Sequence, residues 1–280
     1  MSKSIIKKCL FPAAGYGTRF LPVTKSLPKE MLPVVDKPLI QYGVEEAIEA
    51  GIDEMAIITG RGKGAISDHF DKNYELEDQI SGTDKDNYLV DTRNIIDSAV
   101  FSYTRQLDVK GLGHAILKGE TLIGNQAFAV VLVDDLCYSP KQGVLSQMVE
   151  LYKKYQCSIV AIEEVPADET HKYGIIAGEE VEPGIIRIND MVEKPAPEDA
   201  PSNLAIIGRY ILTTDIFDVI RQTPPGRNNE VQITDALLTQ AKKGGVIAYK
   251  FKGNRFDCGS VGGFVKANNF YYENVYKSQD

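Results

Sequence analysis

The residues of this chain best suited to chemistry begin at Ala13-Ala14-Gly15-Tyr16-Gly17-Thr18-Arg19, with Lys29-Glu30 close behind. A loop of small residues lets backbone N–H groups approach an anion that bulky side chains would hold away. Arg19 and Lys29 can neutralise a phosphate chain, one as a planar fork and one as a point charge. Together they suggest a nucleoside triphosphate site. Two better-known phosphate motifs are missing. A dinucleotide fingerprint needs a third glycine at position 20, where Phe20 stands. A P-loop needs Gly-Lys-Ser/Thr, and none follows. Gly15-x-Gly17 taken alone is also compatible with a plain turn after a strand.

Further groups have chemical potential. Asp134-Asp135 follow the apolar run Phe128 to Val133, and Asp257 lies in Arg255-Phe256-Asp257-Cys258-Gly259-Ser260. Hard carboxylate oxygens suit Mg²⁺, which commonly uses one or two protein carboxylates plus substrate phosphates. A helix cap or turn is the plainer reading of each aspartate. Lys194, in Glu193-Lys194-Pro195, can project from a proline-fixed bend as a phosphate-binding charge, or can simply be solvated. Gln106 and Lys110-Gly111-Leu112-Gly113-His114-Ala115 can read a base edge or bind an anion, or can merely start a helix. Glu230 and Gln232 open another helix, with capping as the alternative. No Ser–His–Asp or Cys–His arrangement and no nucleophile elbow stands out.

The elements that must position these groups alternate. Strands are expected over 5–11, 55–59, 100–105, 128–133 and 158–165. Helices are expected over 39–50, 64–70, 115–122 and 144–155. Apolar strands alternating with helices predict an α/β fold with a mostly parallel sheet covered on both faces. After about residue 166 the regularity loosens. Strands are expected at 173–177, 185–188, 205–212 and 246–251, and helices at 215–222, 233–242 and 261–276. Residues 72–98 are charge-rich and read as a helical or loop insertion near a site or an interface.

The chain has 280 residues, a net charge of −8 and 43 % hydrophobic residues. That length can bury a large core, as one large domain or a domain plus an extension. The acidic balance argues against general nucleic-acid binding. No apolar run reaches the length of a membrane span, and no signal peptide is expected. The cysteines at 9, 137, 157 and 258 form no CxxC pair, which suits a reduced, cytoplasmic protein. The scattered histidines at 69, 114 and 171 do not form a histidine-rich metal site.

Taken in order, these pieces resemble the sugar-1-phosphate nucleotidyltransferase family over nearly the whole chain. The motifs are Phe11 to Arg19, Pro28-Lys29-Glu30-Met31-Leu32-Pro33, Asp134-Asp135, Val192-Glu193-Lys194-Pro195, Glu230 to Ala236, and Phe256 to Ser260. The Ala-Ala-Gly-Tyr-Gly-Thr-Arg loop, Arg105-Gln106 ahead of Gly111 to Ala115, and the 72–98 insertion resemble the uridylyl-transferring branch. The resemblance implies a Rossmann-like α/β core over about 1–165 and a smaller β-rich, sugar-binding part over about 166–280, within one domain. It implies UTP and glucose 1-phosphate as substrates, UDP-glucose and pyrophosphate as products, and Mg²⁺ held by Asp134 and Asp257.

By the same resemblance, Ala13, Ala14, Gly15, Gly17 and Thr18 hold the nucleotide, and Arg19 and Lys29 steady its triphosphate. Glu30, Gln106 and Gly111 face the uracil nucleoside. Gly174, Glu193, Lys194 and Glu230 face the sugar phosphate. A homodimer or homotetramer is also implied. Val133 departs from the family's usual Pro before the Asp pair, and Asn228-Asn229 replace a common Gly-Gly. The alternatives are a thymidylyltransferase of the same family, a non-catalytic nucleotide-sugar sensor, and a Rossmann oxidoreductase, against which Phe20 argues.

Overall fold

The computed structural model describes residues 5–277. Its strands are β1 (Lys8–Pro12), β2 (Pro33–Val34), β3 (Lys37–Pro38), β4 (Glu54–Thr59), β5 (Val100–Arg105), β6 (Phe128–Val131), β7 (Asp135–Tyr138), β8 (Ser158–Glu164), β9 (Gly174–Glu182), β10 (Ile185–Glu193), β11 (Leu204–Leu212), β12 (Val246–Lys250) and β13 (Asn254–Asp257). Nine of them form one sheet in the order β5-β4-β1-β6-β11-β8-β12-β10-β9. The run β5-β4-β1-β6 is parallel, its inner strands β4, β1 and β6 largely apolar and buried and its edge strand β5 more polar and exposed. β11 then enters antiparallel between β6 and β8. The sheet is therefore mixed, and its two expected parts share it: β11, from the later part, lies between two strands of the earlier one. Buried side chains line both faces of the sheet, Phe11, Val131 and Ile159 on one and Leu10, Val130 and Val160 on the other.

Several expected elements appear with the predicted bounds, among them β5 and the helix Val144–Tyr155. The helix expected over 115–122 begins earlier, at Leu112, and is interrupted at Gly119 before a short second turn. A Cβ on Gly119 would lie 2.0 Å from the Leu10 side chain, so the chain must pass close to β1 there. The 72–98 insertion forms the helices Tyr74–Ile80 and Val90–Ser98 around a 3₁₀ turn, Asp84–Leu89. Arg93 ties them by ion pairs to Glu77 (2.9 Å) and Asp86 (2.6 Å). The two-stranded ribbon β7–β13 is not anticipated by sequence, because each strand has only four residues. It carries Asp135 opposite Asp257.

A buried cation locks the sheet next to this ribbon. Arg209 is 1 % exposed and makes a bidentate pair with Glu46 of the helix Leu39–Glu49, with Nη2 2.8 Å from Oε2. Its Nη1 donates to the carbonyls of Leu132 (3.2 Å) and Gly208 (3.0 Å). The β11 register shifts around Gly208, whose N–H donates to Asp135 Oδ2 at 2.7 Å. This bulge re-aims the chain toward the end of β6. Glu46→Ala would leave Arg209 charged, buried and without its carboxylate. A loss of about 3–5 kcal/mol is expected, read from urea unfolding midpoints. All four cysteines are free, and no described helix is long and apolar enough to cross a membrane.

Candidate active site

The carboxyl ends of β1, β4, β5 and β6 open on the same side, where ligands bind in open α/β sheets. The loop after β1 begins with Ala13, whose N–H donates to Ile58 O at 2.8 Å and so continues the sheet. Beyond it, the N–H groups of Ala14, Gly15, Tyr16 and Gly17 make no hydrogen bond to the described residues. Backbone donors without protein partners need water or an anion. Gly17, at φ 65°, turns the chain into the short 3₁₀ turn Thr18–Phe20. Thr18 and Arg19 are exposed there, and Phe20 packs edge-on against Phe264. Phe20 thus fills the place where a dinucleotide site would need a glycine.

Lys29 reaches Asp134 with Nζ 2.5 Å from Oδ2. Burial, the largest single influence, favours the neutral form of both groups. It is outweighed for Lys29 by Asp134 and Glu30 together, and for Asp134 by Lys29, a backbone hydrogen bond and Arg19 together. The Lys29 ammonium is held above its ordinary pKa and the Asp134 carboxyl below its own. The adjacent aspartates separate in role. Asp135 turns to Arg255, whose Nε lies 2.6 Å from its Oδ1, and accepts from Gly208 N–H. Asp134 is the member that meets Asp257. A Cβ on Gly259 would lie 3.0 Å from Asp257 Oδ1, 3.2 Å from Asp134 Oδ2 and 3.3 Å from Arg19 Nη1. Gly259 therefore keeps open a small cradle bounded by two carboxylates and a guanidinium. Cys258 N–H donates to Asp134 O at 2.7 Å and holds the two chain segments together. Among the described residues no group of three or more His, Cys, Asp or Glu side chains forms a cation site. Two converging carboxylates fit a hard divalent ion whose other ligands are phosphate oxygens and water.

The opposite wall comes from β9, β10 and the helix Ile233–Ala241. Lys194 sits at φ 48°, an uncommon conformation for a non-glycine residue, and its N–H donates to Tyr173 O at 2.9 Å. Its Nζ lies 3.0 Å from Glu193 Oε1, and Glu193 Oε2 accepts from Thr234 Oγ1 at 2.6 Å. Thr234 is not singled out by sequence, although it sits four residues after Glu230 in a quoted motif. Gly174 is required by close approach: a Cβ there would stand 2.9 Å from Thr234 Oγ1 and 3.2 Å from Glu193 Oε2. Gly174→Val should displace Glu193 and raise KM for a substrate held by that carboxylate about tenfold, the cost of one lost charged hydrogen bond. Initial rates at varied substrate would show it. Asn228 and Asn229 have φ of 60° and 59°. They adopt the left-handed conformation that Gly-Gly would supply, which Asn tolerates. The departure from Gly-Gly thus keeps the loop's backbone form.

Arg19, Asp134, Asp257, Gly174, Glu193, Lys194 and Glu230 all line one cavity of about 730 Å³. Glu230 Oε2 accepts from Gln232 Nε2 at 3.0 Å. Gln106 and Gly111 stand outside that lining, farther along the strand ends. Gly111, at φ 92°, needs to be glycine, since a Cβ would meet Val231 O at 2.8 Å. Val231 N–H donates to Lys110 O at 2.8 Å, so the loop at 110–113 is clipped to the segment that carries Glu230. Glu30 differs from its expected placement at the nucleoside. It is wholly buried, its Oε2 lies 2.6 Å from Lys63 Nζ, and its Oε1 has no hydrogen-bond partner. Burial pushes its carboxyl up, against the pull of Lys63 and Lys29. Its side chain supports the Lys29 segment from beneath and offers no atom to solvent.

The fold and this site define a transferase of nucleotidyl groups. Residues 10–274 match the nucleotidyl transferase family, and the chain belongs to it. The uridylyltransferases within it provide particular likenesses. The UTP–glucose-1-phosphate uridylyltransferase of Pseudomonas aeruginosa is 67 % identical over 275 residues, 98 % of this chain and 99 % of its own. A UDP-glucose pyrophosphorylase crystallised with UDP-glucose superposes with a TM-score of 0.90 at 64 % identity, over 96 % of this chain and 99 % of that one. The UTP-bound UGPase of Acinetobacter baumannii does so with a TM-score of 0.88 at 38 % identity, over 98 % of each chain.

Proposed function

We propose that this chain is a uridylyltransferase that makes UDP-glucose and pyrophosphate from UTP and glucose 1-phosphate. One observation carries the reading: a single cavity joins the Arg19–Asp134–Asp257 cluster to the Glu193–Lys194 pair. A donor and an acceptor of a nucleotidyl group must meet in such a space. In the reaction, a phosphate oxygen of glucose 1-phosphate attacks the α-phosphorus of UTP. The bond from that phosphorus to the bridging oxygen breaks, and pyrophosphate leaves with its electron pair. No covalent enzyme intermediate is needed. Positioning and neutralisation of charge dominate such chemistry.

The free N–H groups of Ala14 to Gly17 cradle the triphosphate, and Arg19 and Lys29 offset its charge. Lys194 holds the attacking phosphate against repulsion from the other anion. Glu193, held by Thr234, accepts hydrogen bonds from sugar hydroxyls, and Gly174 and Glu230 shape the space around the ring. Gln106 and Gly111 meet the uracil edge. Asp134 and Asp257 would hold Mg²⁺, which neutralises phosphate charge when bound.

The test is release of pyrophosphate by purified protein given UTP, glucose 1-phosphate and Mg²⁺, with dTTP and a chelator in parallel. Release dependent on UTP, sugar phosphate and metal is expected. Preference for dTTP would overturn the base assignment, and UTP binding without turnover would favour a sensor.

A further inference from the structure

Gln106 and His114 form a hydrogen-bonded pair whose polarity can be worked out. Gln106 follows β5 directly, and its N–H donates to Thr59 O at the end of β4, 3.0 Å away. Gly60, the next residue, approaches the β1 loop closely, since a Cβ on it would lie 3.1 Å from Ala14 O. Gln106 thus belongs to the row of strand ends beside the candidate nucleotide loop. Its side chain is held from two sides. Nε2 lies 3.3 Å from Gly111 O and 2.8 Å from His114 Nδ1. A carbonyl oxygen can only accept, so the NH₂ end of the amide faces Gly111. The second hydrogen then meets His114 Nδ1, which must present its lone pair. His114 is therefore neutral, with its proton on Nε2. Both hydrogens of the amide are committed inside the protein. Oε1 has no hydrogen bond to the described residues and is not sealed from solvent.

We infer that His114 is a positioning residue for base choice: by accepting from Gln106 it locks Oε1 outward as the acceptor for the N3–H of uracil. This rests on the proposed UTP reading and deepens it. Uracil carries a donor at N3, whereas cytosine carries a lone pair there. An outward acceptor binds the first and repels the second, and an unpaired polar contact of this kind discriminates strongly. Thymine also carries N3–H, so the device does not separate UTP from dTTP.

The surroundings of His114 keep it in the accepting form. Burial, then Lys118 one turn along its helix, then Lys110 in the preceding loop lower its pKa, and Asp108 pulls the other way. Glu230, on the segment that packs against Gly111, is a further charged group near this loop. Protonation would set a second donor against Nε2. The amide would then turn or lose its anchor, and the outward acceptor would be lost. Base recognition should therefore fail on the acid side of the ordinary imidazole pKa.

The experiment uses the full-length enzyme with two substitutions, His114→Phe and His114→Asn. The readout is kcat/KM for UTP against CTP, together with calorimetric binding of UDP-glucose, whose phosphates do not titrate in this range. His114→Phe is expected to raise KM for UTP more than it changes kcat, and to lower the UTP/CTP ratio about tenfold. In His114→Asn, the side-chain Oδ1 can replace Nδ1 as acceptor, and most of the ratio should return. Wild-type binding of UDP-glucose should weaken between about pH 8 and about pH 5, and that of His114→Asn should stay flat. A UTP/CTP ratio in His114→Phe within twofold of wild type would overturn the inference. Should that variant not fold, a wild-type affinity that stays flat over the same pH range overturns it independently. A wild-type protein that turns over no UTP would instead overturn the function reading itself.

Discussion

Lys194→Ala is expected to lower turnover about 10²–10³-fold, as removal of one preorganised electrostatic stabiliser does. The size follows from where the charge sits. Two anions, the α-phosphate of UTP and the phosphate of glucose 1-phosphate, must approach to bonding distance. A cation about 4 Å from such a charge contributes about 4 kcal/mol at an effective dielectric near 20. The backbone invests in this placement. Lys194 is held at φ 48° by its N–H bond to Tyr173 O, a conformation that costs about 1–3 kcal/mol and persists only where the surroundings impose it. Glu193, 3.0 Å from the ammonium, keeps the side chain aimed into the cavity before substrate arrives. Steady-state rates with glucose 1-phosphate varied at saturating UTP separate binding from turnover. Near wild-type turnover in the variant would remove Lys194 from the reaction.

Asp134→Asn is expected to cost about 10³-fold in turnover. It also carries two signatures that a merely structural change would lack. The first is metal dependence: half of the carboxylate pair at Gly259 is gone, so the Mg²⁺ concentration needed for half-maximal rate should rise. The second is pH. In the native protein burial opposes the Lys29 charge, Asp134 and Glu30 together outweigh it, and the ammonium pKa stands above its ordinary value. Asparagine removes the Asp134 share of that support and leaves the burial. The Lys29 pKa should fall, and the alkaline limb of the pH–rate profile should move to lower pH. Amide for carboxylate keeps the shape, so the backbone bond from Cys258 to Asp134 O can persist. Unchanged metal dependence together with an unmoved alkaline limb would contradict both assignments.

Much of this site can be read along the chain. The small-residue loop, Arg19 and Lys29 lie within seventeen residues, and the strand before them ends in the apolar run Cys9-Leu10-Phe11. Local pattern is enough there because backbone N–H groups and nearby cations need no distant partner to suggest a phosphate. Lys194 is legible for a similar reason, since Pro195 marks the bend. The role of Glu30 is not legible in this way. Its residue type suits a ligand, but its carboxylate pairs with Lys63, thirty-three residues on, beneath the surface. No periodicity marks such a pair.

By itself the sequence determined the alternation of strands and helices, the small-residue loop after the first strand and the charged residue types gathered near it. These follow from local backbone preference and hydrophobic period, which act between near neighbours. Only the tertiary structure decided which aspartate of Asp134-Asp135 meets Asp257. The choice depends on Arg255 and the Gly208 bulge, which draw Asp135 away. The same holds for the space above Gly259, for Thr234 behind Glu193, and for the lone pair that His114 turns to Gln106. Each is a contact between segments far apart in the chain or a hydrogen-bond polarity. Both are set by packing and by the rule that a buried donor must find an acceptor.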